Sequence, residues 1–153
     1  ARVVDIYRFN IVFDGHSMKD LPDRPMVSIG TRYNPNFYMP IVQEIKKKMV
    51  SMGYTPVRFD YPWGGGFILK WLNRKFPDMF IISMEVNKKI YMNDERTKSY
   101  QKKIDKLSSD LSQILDLEPK IRRRRRYPKA RDKVTKGAKN LPSNYRIFMA
   151  DRE

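Results

Sequence analysis

Three short apolar segments, separated by segments with helical periodicity, constrain the fold of this chain more than any other feature. The segments at residues 8–13, 55–59 and 80–86 have the length and composition of buried strands. We predict that the first of them ends at Asp14-Gly15, because this pair is typical of a turn. The residues that follow this first strand are therefore expected at the edge of a sheet.

The segments between and after the strands predict helices. Pro40 is suited to the first turn of a helix, and Gly53 is suited to its end. A second, shorter helix is predicted at residues 67–75. A third, long helix precedes Pro119, and its apolar stripe repeats in steps of four and three: Tyr100, Ile104, Leu107, Leu111 and Ile114.

Alternation of strands and helices predicts an α/β fold with a mostly parallel sheet flanked by helices. Residues 19–40 are rich in Pro, Asp and Asn and predict a long loop, with a further short strand at residues 26–29. We assign residues 1–118 to one α/β domain and residues 119–153 to a basic extension.

The composition excludes several classes of protein. The 153-residue chain has no cysteine, so disulfides and thiolate metal sites are excluded and a reducing, intracellular compartment is compatible with it. His16 is the one histidine, so a metal site within this chain would depend on carboxylates around a single imidazole. No apolar run approaches the roughly 18 residues that a membrane span requires, and we expect no membrane partner.

The positive charge is concentrated near the end of the chain. Residues 120–153 contain 13 Lys and Arg residues against 3 acidic residues, so they hold +10 of the net charge of +15. Such an asymmetry indicates that the extension, and not the folded part, has a polyanionic partner.

RNA is the partner that we expect for this extension, because arginine binds phosphate through two parallel hydrogen bonds. Tyr127 could add stacking on a base. A solvated tail or a targeting signal is the alternative interpretation. The predicted nucleic-acid-binding residues are Arg122, Arg123, Arg124, Arg125, Arg126, Lys129, Arg131, Lys133, Lys136 and Lys139.

Three features of the first 118 residues could support chemistry. His16 follows the first predicted strand, where an imidazole can be a metal ligand or simply a turn residue. Glu85 lies in the third strand, where a carboxylate requires a partner or a cleft unless the strand has already ended. Gly64-Gly65-Gly66 could bring backbone N–H groups close to a ligand, or could be a flexible turn.

Taken in order, four sequence blocks resemble the N-formylglutamate amidohydrolase family over residues 8–95. The blocks with His16 and with Glu85 are the more specific, and the glycine block is less so. The four blocks are Asp14-Gly15-His16-Ser17-Met18, Ile29-Gly30-Thr31, residues 61–67 and residues 84–95.

This resemblance implies a zinc carboxypeptidase-like fold and site. It implies that His16 is a zinc ligand and that Glu85 is the catalytic general base that transfers a proton from a zinc-bound water to the leaving nitrogen. From their place between a strand and a helix, Gly64, Gly65 and Gly66 are predicted to bind substrate through backbone N–H groups. The family's other two zinc ligands come from an upstream segment, and we expect this chain to lack that segment and the domain to be incomplete at its N-terminus. We therefore expect zinc not to be bound by this chain alone.

Two functions follow from these residues. The first is an amidohydrolase-like domain, without activity as the chain stands, that its basic extension holds in a ribonucleoprotein such as a mitochondrial ribosome, beside neighbouring proteins. A location in the mitochondrial matrix is compatible with that function. The alternative is a fragment of an active zinc-dependent amidohydrolase that cleaves N-formyl or N-acyl amino acids.

Overall fold

The predicted sheet consists of five strands in the computed structural model, which describes residues 11–116 and 148–149. The strand order is β3-β2-β4-β1-β5, and all neighbouring pairs are parallel except β2 with β4. This arrangement confirms the predicted α/β class with a mostly parallel sheet. The strands are β1 (Ile11–Met18), β2 (Val27–Gly30), β3 (Val57–Phe59), β4 (Phe80–Asn87) and β5 (Phe148–Met149).

The predicted helices are also present. They are α1 (Met39–Ser51), α2 (Phe67–Lys75) and α3 (Gln101–Ile114). Pro40 lies in the first turn of α1, and Gly53 follows its end with φ = +94°, a backbone conformation that glycine adopts readily. Among the described residues, no helix combines the length and apolar character that crossing a membrane requires.

The prediction that the first strand ends at Asp14-Gly15 is wrong. β1 continues to Met18, because every one of its eight residues pairs with a residue of β4. This pairing overrides the local turn preference of Asp and Gly, as tertiary context often does. His16 therefore lies within a strand of the sheet and not in a loop after it.

The larger part of the core lies between one face of the sheet and the helices α1 and α3. Phe80, Ile82, Met84 and Val86 alternate along β4 and point to this face. They meet side chains from both helices and from two other strands. Those partners include Val27, Ile29, Ile41, Val42, Ile45, Met49, Leu107 and Ile114.

The opposite face of the sheet is covered by α2 over part of its area. Leu69 and Leu72 of α2 pack with Met79 and Ile81, and Val12 of β1 joins this smaller cluster. The apolar contact involves the first residues of β1 and β4. The polar residues farther along the same face lie beyond this cluster.

Most of the basic extension lies outside the described residues. The exception is β5, whose Phe148 and Met149 pair in parallel with Asp14 and Gly15 of β1. The division into a domain at residues 1–118 and an extension at residues 119–153 stays a prediction.

A partly buried hydrogen bond joins Tyr54, which follows α1, to α3. The Tyr54 hydroxyl donates to Asp110 Oδ2 at 2.6 Å, and the Lys106 ammonium group binds the same carboxylate oxygen. The hydrogen bonds from Lys106 and Tyr54 lower the pKa of Asp110 below its ordinary value of 3.8. The charged form of Asp110 therefore stabilises the folded state.

We predict that Tyr54→Phe lowers the free energy of unfolding by about 1.5 kcal/mol near neutral pH, because one hydrogen bond to a charged group is lost. The pKa of Asp110 is lower in the folded state than in the unfolded state. The stabilisation from charged Asp110 is therefore fully present above about pH 3.8, and it is lost as the pH falls through the folded-state pKa. Urea unfolding at about pH 7 and about pH 3 should show the difference between variant and wild type shrinking in acid.

Tyr100→Phe is the matched control, because Tyr100 is 40% exposed. This control should change stability by less than about 0.5 kcal/mol. Equal stabilities of the two variants near neutral pH would contradict the assigned role of Tyr54.

Candidate functional site

The pairing of β1 with β4 brings the two principal candidate residues together. His16 lies directly opposite Glu85, and Asp14 lies opposite Ser83. Neighbouring strands are about 4.8 Å apart, so residues paired on one face are immediate neighbours. All four share the face that α2 covers, because they alternate with the apolar residues of the main core.

Two further strands extend this arrangement across the sheet. Ser28 of β2 lies opposite both Glu85 and Arg58 of β3. His16, Glu85, Ser28 and Arg58 thus form one row across four strands, which we call the polar row. Ser28 and Arg58 are absent from the residues that the sequence predicts, because the sequence of one strand does not reveal its register with another.

His16 is held by a carboxylate on its own strand. Its Nε2 lies 2.8 Å from Asp14 Oδ1, and its side chain is only 8% exposed. Among the described residues, neither its Nδ1 nor Ser28 Oγ has a hydrogen-bond partner, although both atoms are buried. Because buried polar atoms are normally satisfied, these two atoms on either side of Glu85 indicate a place for water or a small polar ligand.

The glycine-rich loop lies against the end of β2, next to Gly30. A Cβ atom added to Gly30 would lie 2.1 Å from Ser83 Oγ and 3.0 Å from the backbone of Gly64 and Gly65. The backbone N–H of Arg32 also donates to the carbonyl of Gly64 at 3.1 Å. The structure therefore places two of the three predicted glycines against Gly30, at the end of β2.

Gly66 has a different position. It precedes the first residue of α2, and a Cβ atom added there would have no neighbour within 4 Å among the described residues. The close approach thus involves Gly64 and Gly65, and a substrate contact for any of the three glycines stays a prediction.

Asp60 fixes the start of this loop. Its carboxylate accepts hydrogen bonds from the backbone N–H of Thr31 at 2.6 Å and from the Thr31 hydroxyl at 2.9 Å. Its φ of 53° is a left-handed conformation that Asp tolerates better than most residues. These contacts join the end of β3 to the end of β2 and direct the chain toward the glycines.

The donor atoms around His16 do not fit a catalytic zinc site. Such a site takes three protein ligands. Within residues 11–116 and 148–149, no three His, Cys, Asp or Glu side chains are grouped so that they could hold a metal ion. The Nε2 of His16 is also already bonded to Asp14. The zinc-ligand role of His16 and the general-base role of Glu85 remain predictions from the family resemblance.

A solved enzyme structure is similar to this arrangement. The crystal structure of N-formylglutamate amidohydrolase from Ralstonia eutropha JMP134 aligns with a TM-score of 0.62 and 15% sequence identity. This chain shares that amidohydrolase fold. The aligned part covers 80% of this chain and 47% of the enzyme, so the chain spans about half of the enzyme's length. No family model and no curated protein matches the chain.

The ten predicted nucleic-acid-binding residues lie outside the described residues. They are Arg122, Arg123, Arg124, Arg125, Arg126, Lys129, Arg131, Lys133, Lys136 and Lys139. Their role depends on the charge of the sequence alone and stays a prediction.

We predict that Gly30→Ala destabilises the fold by about 1–3 kcal/mol, because the added methyl group overpacks against Ser83 and the glycine loop. In the double variant with Ser83→Ala, the loss of stability should be at least about 0.5 kcal/mol smaller than the sum of the two single effects, since the two residues are in contact. Chemical denaturation of the single and double variants measures this coupling.

Gly66→Ala is the control for Gly30→Ala. Because the space around Gly66 is open, this variant should lower the free energy of unfolding by less than about 1 kcal/mol, as expected when alanine replaces glycine before a helix. Strictly additive effects of Gly30→Ala and Ser83→Ala would show that Ser83 does not limit the space at Gly30.

Proposed function

We propose that this chain is an amidohydrolase-like domain that binds RNA through its basic extension and has no amidase activity as it stands. In this proposal the extension holds the domain in a ribonucleoprotein, such as a mitochondrial ribosome. The charge distribution carries the proposal, since residues 120–153 have a net charge of +10. Arginine-rich segments of this kind bind phosphate backbones with little sequence preference.

The candidate site also supports this proposal. His16 is paired with Asp14, and the described residues around it do not supply the three ligands of a catalytic zinc. Binding, and not hydrolysis, is thus the function that we infer.

A salt titration of RNA binding tests the role of the extension. If about five to eight basic groups contact phosphates, the logarithm of affinity should fall against the logarithm of salt concentration with a slope of roughly −3.5 to −6 on a single strand. Replacing Arg122–Arg126 with Ser should make this slope shallower by about 3.5, since five phosphate contacts are lost.

Glu85→Gln is the control in this titration, because Glu85 lies in β4 and not in the extension. It should leave the slope unchanged. The proposal fails if the intact chain shows no salt-dependent RNA binding near physiological ionic strength.

An amidohydrolase acting on N-formyl or N-acyl amino acids is the second candidate. The observation that favours it is the pairing of His16 with Glu85 on neighbouring strands. A general base next to a buried imidazole is an arrangement that amide hydrolysis can use. In this case the chain would be part of an active enzyme.

Metal analysis and an amidase assay distinguish the two candidates. We predict that the purified chain contains well below one zinc per molecule and does not measurably hydrolyse N-formylglutamate. Near-stoichiometric zinc, together with hydrolysis that Glu85→Gln abolishes and Glu95→Gln leaves intact, would establish the enzyme instead. Glu95 is a suitable comparison because it is an exposed glutamate in a loop.

A further inference from the structure

Exposed aromatic residues are concentrated in one short part of the described chain. Of the nine large hydrophobic residues that are exposed within residues 11–116, five lie between residues 61 and 71. They are Tyr61, Trp63, Phe67, Ile68 and Trp71. Scattered exposed apolar residues are normal in proteins, but a cluster of this kind is typical of a binding surface.

The helix α2 has two clearly different faces. Its inner face packs on the sheet through Leu69 and Leu72. Phe67, Trp71 and Arg74 follow the spacing i, i+4, i+7 and share the outer face, where Phe67 is 80% exposed and Trp71 is 39% exposed. Two aromatic rings and a guanidinium group therefore lie side by side toward solvent.

Three positive charges accompany these rings. Lys70, Arg74 and Lys75 are exposed, and α2 contains no acidic residue. The Lys75 ammonium group lies 5.8 Å from the centre of the Trp71 ring, within the range of a cation–π contact. We call Phe67, Lys70, Trp71, Arg74 and Lys75 the aromatic–basic face.

We infer that the aromatic–basic face binds single-stranded RNA, with Phe67 and Trp71 stacking on bases and the three cations meeting phosphates. Aromatic rings between basic side chains are the combination that single-strand binding uses, because every base has a flat face and every nucleotide has a phosphate. This inference rests on the proposed RNA-binding function and adds to it a second contact, in the folded domain, where the charge asymmetry of the sequence alone predicts none.

The charges of this face argue against two other occupants. The basic extension of the same chain would be repelled, since both surfaces are positive. On a membrane surface, the guanidinium group of Arg74 would have to enter the lipid together with the two rings, because all three lie on one face of α2. An interfacial helix instead has its charged residues on the face opposite to its apolar residues. Single-stranded RNA accommodates both kinds of group, because its bases stack on the rings and its phosphates attract the cations.

Tryptophan fluorescence tests the stacking without any substitution on the face itself. The chain has two tryptophans, so in the full-length Trp63→Phe variant Trp71 is the only reporter. Titration with an oligouridylate of roughly 16 nucleotides, at the upper end of known single-strand site sizes, should quench its emission. Unchanged emission at saturating RNA would overturn the inference.

Substitutions then measure what each group contributes. Phe67→Ala and Trp71→Ala should each weaken binding roughly 5-fold to 100-fold and leave the salt slope unchanged, because stacking involves no phosphate. Replacing Lys70, Arg74 and Lys75 with Ser should instead make the slope shallower by about 2.

Tyr100→Ala is the matched control, because Tyr100 is 40% exposed and has the Lys103 ammonium group 4.8 Å from its ring centre. The inference is overturned if Phe67→Ala and Trp71→Ala bind RNA as tightly as Tyr100→Ala. It is also overturned if these two variants lose binding to phosphatidylserine vesicles and keep their affinity for RNA.

The same variants separate failure of the inference from failure of the proposed function. In a chain with Arg122–Arg126 replaced by Ser, the remaining RNA affinity should still fall when Trp71 is removed. An effect of Trp71→Ala without any effect of the arginine replacement would support the aromatic–basic face and refute the role of the extension. The reverse result would refute the face alone.

Discussion

Eight consecutive residue pairs join β1 to β4, and every other layer of the structure depends on that pairing. On one face, the pairing presents Phe13 and the even-numbered residues of β4 to α1 and α3. On the other face, it presents Val12 and Ile81 to α2. The same register sets His16 beside Glu85. A shift by one residue would turn these side chains to the opposite face, so the core and the candidate site are specified together.

The polar row is an unusual feature for the middle of a sheet with helices on both sides. Within the row, Ser28 and most of the His16 side chain lose contact with water, whereas Arg58 on the edge strand β3 is exposed. The fold tolerates buried polar groups only when they are hydrogen-bonded or reach a cleft. Asp14 meets part of this requirement for His16. The unpartnered atoms on His16 and Ser28 show that the row is not satisfied by the described residues alone. Two buried polar atoms beside Glu85 are therefore open to a water molecule or a small polar ligand.

Two parts of the chain carry most of the positive charge that the proposed RNA binding uses. One is the arginine-rich extension, and the other is the outer side of α2, the helix that covers the same face of the sheet as the polar row. A polyanion that contacted both would bind the folded domain and its extension together. The first contact would raise the effective concentration for the second, so the overall affinity would exceed that of either contact alone. The amidohydrolase fold would then act as a scaffold for recognition.

The sequence by itself determined the class of the fold and the positions of most helices and strands. Hydrophobic periodicity, Pro40 and Gly53 are local signals, and the structure confirms the elements that they predict. The sequence also determined the asymmetry of charge, because net charge depends on composition alone. Only the tertiary structure decided that β1 continues through His16, that Ser28 and Arg58 join the polar row, and that Gly30 makes room for the loop at Gly64. The physical reason is that strand register and close packing are contacts between segments distant in sequence, which no local pattern specifies.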